Sequence, residues 1–264
     1  MRERELLAEL ERRGLVQGIE HDAAQIDGLV VTQDALVEGV HFTFDLVDWR
    51  ELGYRAAAVN VSDLAASGAE PLALIVSLGA PDLAHALELY EGIAEAGVPV
   101  RGGDTTAADR VVLSVTAVGR SERVPGRAGA RPGDVVVVTG PLGATAVGFR
   151  NGALPRPPRR IDEGRRLARV ATAMLDVSDG LGVDAGHIAE RSGVRIVLDL
   201  DAVPLAPGAT RDDLSFGEDY ELLATTPDPL DFAVIGRVEE GSGVDPAALG
   251  GWEHFVEPRL EPDE

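Results

Sequence analysis

The sequence predicts an α/β (α+β) protein built in two halves, and three observations carry that expectation. Short apolar runs of strand length alternate with longer amphipathic stretches along the 264 residues. Apolar residues make up 45% and charged residues 26%, which is enough to bury a core. Residues 121–133, SERVPGRAGARPG, crowd Gly, Pro and Arg between two such series and read as a linker. The expected domains are therefore 1–122 and 123–264.

Leu6, Leu7 and Leu10 give a helical stripe that Gly14 ends. Residues 28–33, GLVVTQ, read as a short strand. Asp48 caps a long helix that runs to about Ser67, and PLALIVSLGAP reads as a buried strand bounded by Pro71 and Pro81. Asp82 is expected to cap a helix whose apolar positions include Leu83, Leu87, Ile93 and Ala94. A brief strand at 98–100 leads into a polar loop, GGDTT, and then a strand over 110–119. In the second half DVVVVTG is a strand, with helices from about Leu142 and over Ile161–Thr172. A strand enters DVSDG, Asp184–Arg191 is helical, and VRIVLDL, Tyr220–Thr226 and Phe232–Val238 are strands. RPPRR at 156–160 reads as a loop.

Composition excludes several chemistries. The chain has no Cys, and every basic residue is Arg. Without Cys there are no disulfides, thiolate metal sites or Cys nucleophile. Without Lys there is no P-loop, no standard protein-kinase site and no Schiff base. A formal net charge of −21 repels a nucleic-acid backbone. No apolar run approaches a membrane span, and the N-terminus, MRERELLAELERRG, has no secretory pattern, so a cytoplasmic protein is expected.

Several Asp residues sit in or near glycine-punctuated turns after apolar strands, where α/β folds bind ligands. They are Asp22, Asp34, Asp63, Asp104, Asp176 and Asp179, with Glu218 and Asp219 in FGEDYEL. Gly102 and Gly103 allow close backbone approach to an anion, with Asp104 adding carboxylate oxygens for a hard cation; the same residues also read as a plain turn. Ser178 reads as a helix cap, and Asp63 lies in a helical pattern. Dispersed Asp, Gly-rich turns and Arg together suggest a phosphate site neutralised by divalent metal, suited to phosphoryl transfer.

In order, HDAA, TQDALVEGVHF, AAVNVSDLAASGAEP, GGDTT, GARPGD, LDVSDGL, GEDYELL and GWEHF resemble the thiamine-monophosphate kinase family, within the aminoimidazole-ribonucleotide-synthetase-like ATP-binding proteins. The resemblance runs from about residue 18 to 256. It implies phosphorylation of thiamine phosphate to thiamine diphosphate by direct in-line attack on ATP, with several Mg²⁺ ions. It implies a two-domain synthetase-like fold whose N-terminal mixed sheet pairs into a dimeric barrel in a homodimer, beside a C-terminal α/β domain. Metal positions carried over are Asp22, Thr32, Gln33, Asp34, Asp63, Asp104, Asp176 and Asp179. ATP positions are Tyr90, Gly103, Asp104, Arg127 and Ser178; substrate positions are His41, Glu218 and Trp252. A flat Trp252 face suits cationic thiamine rings, although a Trp also simply fills cores. The sequence departs from the family at His21, Gln33 and Phe216, where a carboxylate, a hydroxyl and a glycine are usual. A non-catalytic or substrate-shifted relative is the alternative reading.

Overall fold

The computed structural model describes residues 3–17, 21–247 and 249–252. The leucine stripe forms α1 (Glu3–Arg12). A three-residue strand that the periodicity does not reveal, β1 (Ala24–Ile26), pairs with β2 (Leu29–Val37). Asp27 and Gly28 join them with φ of 49° and 77°, the left-handed pair of a tight hairpin. Strand β2 is longer than the expected 28–33 and alternates: Val30, Thr32, Asp34 and Leu36 share one face, and Gln33 and Ala35 the other.

The Asp48 carboxylate accepts from Glu51 N–H at 2.8 Å and starts α2 (Trp49–Ala66), as expected. This helix is buried on nearly every side. Strand β3 (Glu70–Ala80) begins one residue before Pro71. Helix α3 (Ala86–Glu95) starts four residues later than the expected cap. The Asp82 carboxylate instead closes a turn onto Ala84 N–H, and Leu83 and Leu87 are exposed, so the buried stripe is Leu89 and Ile93. GGDTT is not a loop: it lies within β4 (Val100–Ala107), an exposed edge strand parallel to β3. Strand β5 (Val112–Arg120) completes a five-stranded mixed sheet in the order β1-β2-β5-β3-β4. One face packs against α2; the other carries Ile75 and other exposed residues.

The second half contains β6 (Val135–Val138), α4 (Ala144–Arg150), α5 (Ile161–Leu167), β7 (Ala173–Asp176), α6 (Leu181–Ser192) and β8 (Arg195–Leu198). A 3₁₀ turn at Arg211–Ser215, then β9 (Leu222–Thr226), β10 (Ala233–Glu239) and β11 (Gly243–Asp245) follow. Its six strands run β11-β8-β10-β6-β9-β7. Helix α5 stops short of Thr172, α6 begins before Asp184, and β9 begins after Tyr220 because that residue adopts φ 53°.

Helix α2 joins the halves. Its Ala65 and Ala66 share a buried cluster with Leu167, Met174 and Leu222. The helix pair α2–α3 is in backbone contact: a Cβ on Gly53 would lie 1.9 Å from the Leu89 carbonyl oxygen, and one on Gly92 would lie 1.9 Å from that of Arg50. Residues 154–160 strap the second half onto the first without regular structure. Leu154 N–H donates to the Leu46 carbonyl at 3.2 Å, Tyr54 O–H to the Pro157 carbonyl at 3.2 Å, and Arg156 pairs with Glu51 and Glu95.

The Gly53–Leu89 contact leaves no room for a methyl group. Gly53→Ala should lower unfolding free energy by about 2 kcal/mol or more despite its better helix propensity. Gly102→Ala, with no atom within 4 Å of the added Cβ, should stay within about 0.5 kcal/mol in the same denaturant titration.

Candidate active site

A cavity of about 690 Å³ opens between the two sheets. One end is acidic: Asp22, Asp34, Asp63, Asp176, Asp179 and Asp184 line it, with Arg127 as the guanidinium in the lining. The other end holds Phe149, Phe216, Trp252, Leu46 and Leu154, with His41, Glu218 and Tyr220 beside them.

The acidic end is built from strand alternation and one helix. Thr32 and Asp34 share the helix-facing side of β2. Strand β1 stops at its pairing with Val31, so the Asp34 N–H lacks a strand partner on that side and donates to Asn60 Oδ1 of α2 at 3.0 Å. Thr32 O–H donates to the Asp63 carboxylate, and Ser62 O–H donates to that of Asp176 at the end of β7. Arg127 holds Asp22 from Nε at 2.7 Å and Nη2 at 2.5 Å. Burial, then the nearby charges of Asp34, Asp176 and Asp22, push the Asp63 carboxyl well above the usual carboxylate range. Burial and the Asp22 charge likewise push Asp176 up to about 7, against the Ser62 hydrogen bond.

Beyond β7 the chain turns into α6. Ser178 is not its cap: Gly180 holds that position, and the carboxylate of Asp184 in the first turn accepts back from Asp179 N–H at 3.1 Å and Gly180 N–H at 3.0 Å. Burial raises Asp184 well above its ordinary value, with Asp179 adding like charge. Asp179, Asp184 and His187 bring ligand atoms within 4.8 Å of one another.

At the aromatic end, Glu218 N–H donates to the Ser178 carbonyl at 2.8 Å and Trp252 N–H to that of Asp179 at 2.8 Å, so both hang on the DVSDG turn. His41 Nδ1 accepts from Val37 N–H at 3.1 Å, which leaves the ring proton on Nε2. Glu253, His254 and Phe255 of GWEHF lie outside the described residues, as does Glu20.

Of the residues expected from sequence, Asp22, Thr32, Asp34, Asp63, Asp176, Asp179, Arg127, Ser178, His41, Glu218 and Trp252 line this cavity. Gln33 lines it too, but its amide bonds Ser114 at 3.1 Å and Thr116 at 3.3 Å on the outer sheet face, away from the Asp34 carboxylate. Tyr90, Gly103 and Asp104 are not in the lining. Strand β4 is three strand spacings from β2, roughly 14 Å. Asp34 is in line with Val115, Val76 and Gly103, so Asp104, one residue on, faces the opposite side of the sheet. Gly103 has a packing reason: its Cβ would lie 1.8 Å from the Val76 carbonyl oxygen. Tyr90 packs half-buried against the first core. His21 is not in the lining either: its Nδ1 lies over Gly126, where a Cβ would come within 1.9 Å. The sequence reading missed Asn60, Ser62 and Asp184. A polar pair inside an otherwise Ala- and Val-rich buried helix was the available signal for the first two.

Residues 20–121 match the "AIR synthase related protein, N-terminal domain" and residues 131–247 its C-terminal domain, which defines the class. Thiamine-monophosphate kinase of Aquifex aeolicus (strain VF5) is 35% identical over 270 residues, covering 86% of this chain and 88% of that protein. The Mycobacterium tuberculosis enzyme of the same name (strain H37Rv) is 37% identical over 273 residues, covering 87% and 81%. The solved structure described as "AaThiL complexed with AMPPCP and TMP" superposes with a TM-score of 0.87 at 33% identity, over 96% of this chain and 97% of that one. The chain belongs to the thiamine-monophosphate kinase family.

The raised carboxyls fix a pH dependence. An unfolded Asp titrates near 3.8 and folded Asp176 near 7, so between those values the folded chain holds a proton that the unfolded chain has lost. Stability without divalent cation should therefore fall as pH rises from about 4 to about 7, and Asp63 acts in the same direction. Melting temperature in EDTA should be lower at pH 8 than at pH 5.5. Mg²⁺ should raise it at pH 8 more than at pH 5.5. A cation effect equal at both values would contradict the crowded-carboxylate description.

Proposed function

We propose that this chain is an ATP-dependent kinase that phosphorylates thiamine phosphate to thiamine diphosphate. The observation that carries the reading is one cavity whose lining joins a cluster of carboxylates to aromatic rings. Its family relatives carry that activity in their names, and the structure that superposes on it is described with AMPPCP and TMP.

The donor set fits Mg²⁺. Asp22, Asp34, Asp63 and Asp176 are hard oxygen ligands, and Asp63 and Asp176 resist ionising together unless a cation joins them. Those four, with the Thr32 hydroxyl, would hold the metal; Asp179 would serve a further ion. Bound there, Mg²⁺ supplies the positive charge that offsets the phosphates and the transferring phosphoryl group. Arg127 remains charged against Asp22 and adds a fixed cation at the phosphate end. The backbone of the turn carrying Ser178 and Asp179 approaches the same end. Trp252, Phe149 and Phe216 exclude water and present ring faces and edges to the cationic thiazolium and the neutral aminopyrimidine. Glu218 and His41 orient the rings through polar contacts. A phosphate oxygen of thiamine phosphate then attacks the γ-phosphorus while its bond to the β-bridging oxygen breaks and ADP leaves with that electron pair. No side chain is phosphorylated; the protein positions and neutralises.

The proposed assembly is a homodimer. The first sheet leaves its outer face open, with Ile75 exposed there, and among the described residues its β4 edge is unpaired. Asp104 and Gly103 stand on that edge, outside the lining of their own cavity, with Asp104 on the opposite sheet face. A second copy gives them a route to an active site as metal and ATP residues; Tyr90 has no such contact within one chain. Among the described residues no helix is long and apolar enough to cross a membrane.

Incubation of the purified protein with ATP, Mg²⁺ and thiamine phosphate should yield thiamine diphosphate and ADP in equal amounts. ADP without thiamine diphosphate would refute the substrate assignment. Asp34→Asn and Asp104→Asn should each abolish turnover. Mixed after unfolding and co-refolding, they should recover about a quarter of wild-type activity, because half the dimers are mixed and each of those holds one intact site. No recovery would place both residues in one chain's site.

A further inference from the structure

We propose that Arg55 is a positioning residue for the ring end of the cavity: its guanidinium fixes the Glu218 carboxylate and ties it to the helix that carries Asp63. The proposal rests on the kinase reading above. Arg55 sits in α2 and is 2% exposed. Its Nη2 donates to Glu218 Oε2 at 2.8 Å, its Nη1 donates to the Pro155 carbonyl at 3.1 Å, and its guanidinium carbon lies 5.8 Å from the centre of the Tyr220 ring. The guanidinium therefore links its own helix to two segments, the GEDYEL turn and the 154–160 strap.

The turn itself needs holding. Glu218 and Tyr220 both have positive φ, 58° and 53°, an uncommon backbone for residues with a side chain. Their main chain is already secured without Arg55. Glu218 N–H donates to the Ser178 carbonyl and Tyr220 N–H to that of Val177. Thr145 O–H donates to the Glu218 carbonyl at 2.7 Å, and Asp219 accepts from Gly143 N–H at 2.7 Å. What Arg55 adds is the direction of the Glu218 side chain. That carboxylate lines the cavity, and a bond to Oε2 leaves its other oxygen for a ligand donor such as the amino group of an aminopyrimidine.

Helix geometry makes the tether a ruler. Arg55, Val59, Ser62 and Asp63 fall within about 100° of one another around α2, and Arg55 and Asp63 are about 12 Å apart along its axis. One rigid, buried helix thus sets the separation between the phosphate end and the ring end. Lys cannot reproduce the grip, because a single ammonium lacks the planar fork that reaches Glu218 and Pro155 together.

The test is steady-state kinetics on wild type, Arg55→Lys, Glu218→Gln and the double variant. Arg55→Lys should raise KM for thiamine phosphate by about ten-fold, the loss expected for one charge-assisted hydrogen bond. KM for ATP should change less than two-fold. In the Glu218→Gln background, Arg55→Lys should add less than two-fold to KM for thiamine phosphate. Equal rises in both KM values, a loss confined to kcat, or full additivity with Glu218→Gln would overturn the proposal. Arg55→Gln, which keeps a donor without the charge, should give the same split if Arg55→Lys does not fold. Loss of the fold in both variants would mark the pair as purely structural. A wild type that makes no thiamine diphosphate would instead refute the kinase reading, and this proposal with it.

Discussion

The structure depends on burying like charges beside one helix. Helix α2 is enclosed by the first sheet, by α3 and by the second half of the chain, yet it carries Arg55, Asn60, Ser62 and Asp63 among its buried or cavity-facing residues. Each finds a partner: Glu218, the Asp34 N–H, Asp176 and Thr32 respectively. An unpartnered polar group at that depth costs on the order of 1–3 kcal/mol, so these bonds are conditions for the helix to lie there. They also place carboxylates from both halves within one another's field. Burial and like charge then push the Asp63 and Asp176 carboxyls above the ordinary carboxylate range, and the proposed divalent cation would relieve that crowding.

Rigidity around α2 comes from backbone contact. Gly53 and Gly92 let α2 and α3 touch at carbonyl level, and Gly164 brings α5 against the Ala65 carbonyl in the same way. The 154–160 strap adds further ties, with Arg159 donating to the Ala96 carbonyl and Arg160 held by Glu221 at 2.6 and 2.7 Å. Phosphoryl transfer asks the protein for position and charge more than for covalent chemistry, and a helix locked on these sides supplies position.

Much of this was legible in the sequence, for physical reasons. Asp48 before a long run of small apolar residues marked α2, short apolar runs marked β2 and β3, and alternation marked β5. The acidic cavity set was legible through ordered motifs more than through any one carboxylate, since Asp22, Asp34, Asp63 and Asp176 come from four separate segments. The misses have causes. Asp27-Gly28 is a hairpin signal, and weighing it would have revealed β1. GGDTT looks like a loop by composition, but an edge strand with one paired side tolerates glycine and polar residues. Asp82 caps a turn where a helix was expected, because the exposed Leu83 and Leu87 gave a false apolar stripe. Sheet order, which puts β4 far from β2 and Asp104 on the other face, is set by long-range pairing that no local pattern records.

In the proposed site a divalent cation would replace protons among crowded, buried carboxylates. Calorimetric titration of Mg²⁺ at pH 7 in two buffers of different ionisation enthalpy measures that exchange directly. Binding should release protons in wild type, and release should shrink in Asp63→Asn, which removes one proton-holding carboxyl. Mg²⁺ binding with no proton release, or release unchanged in Asp63→Asn, would contradict the account.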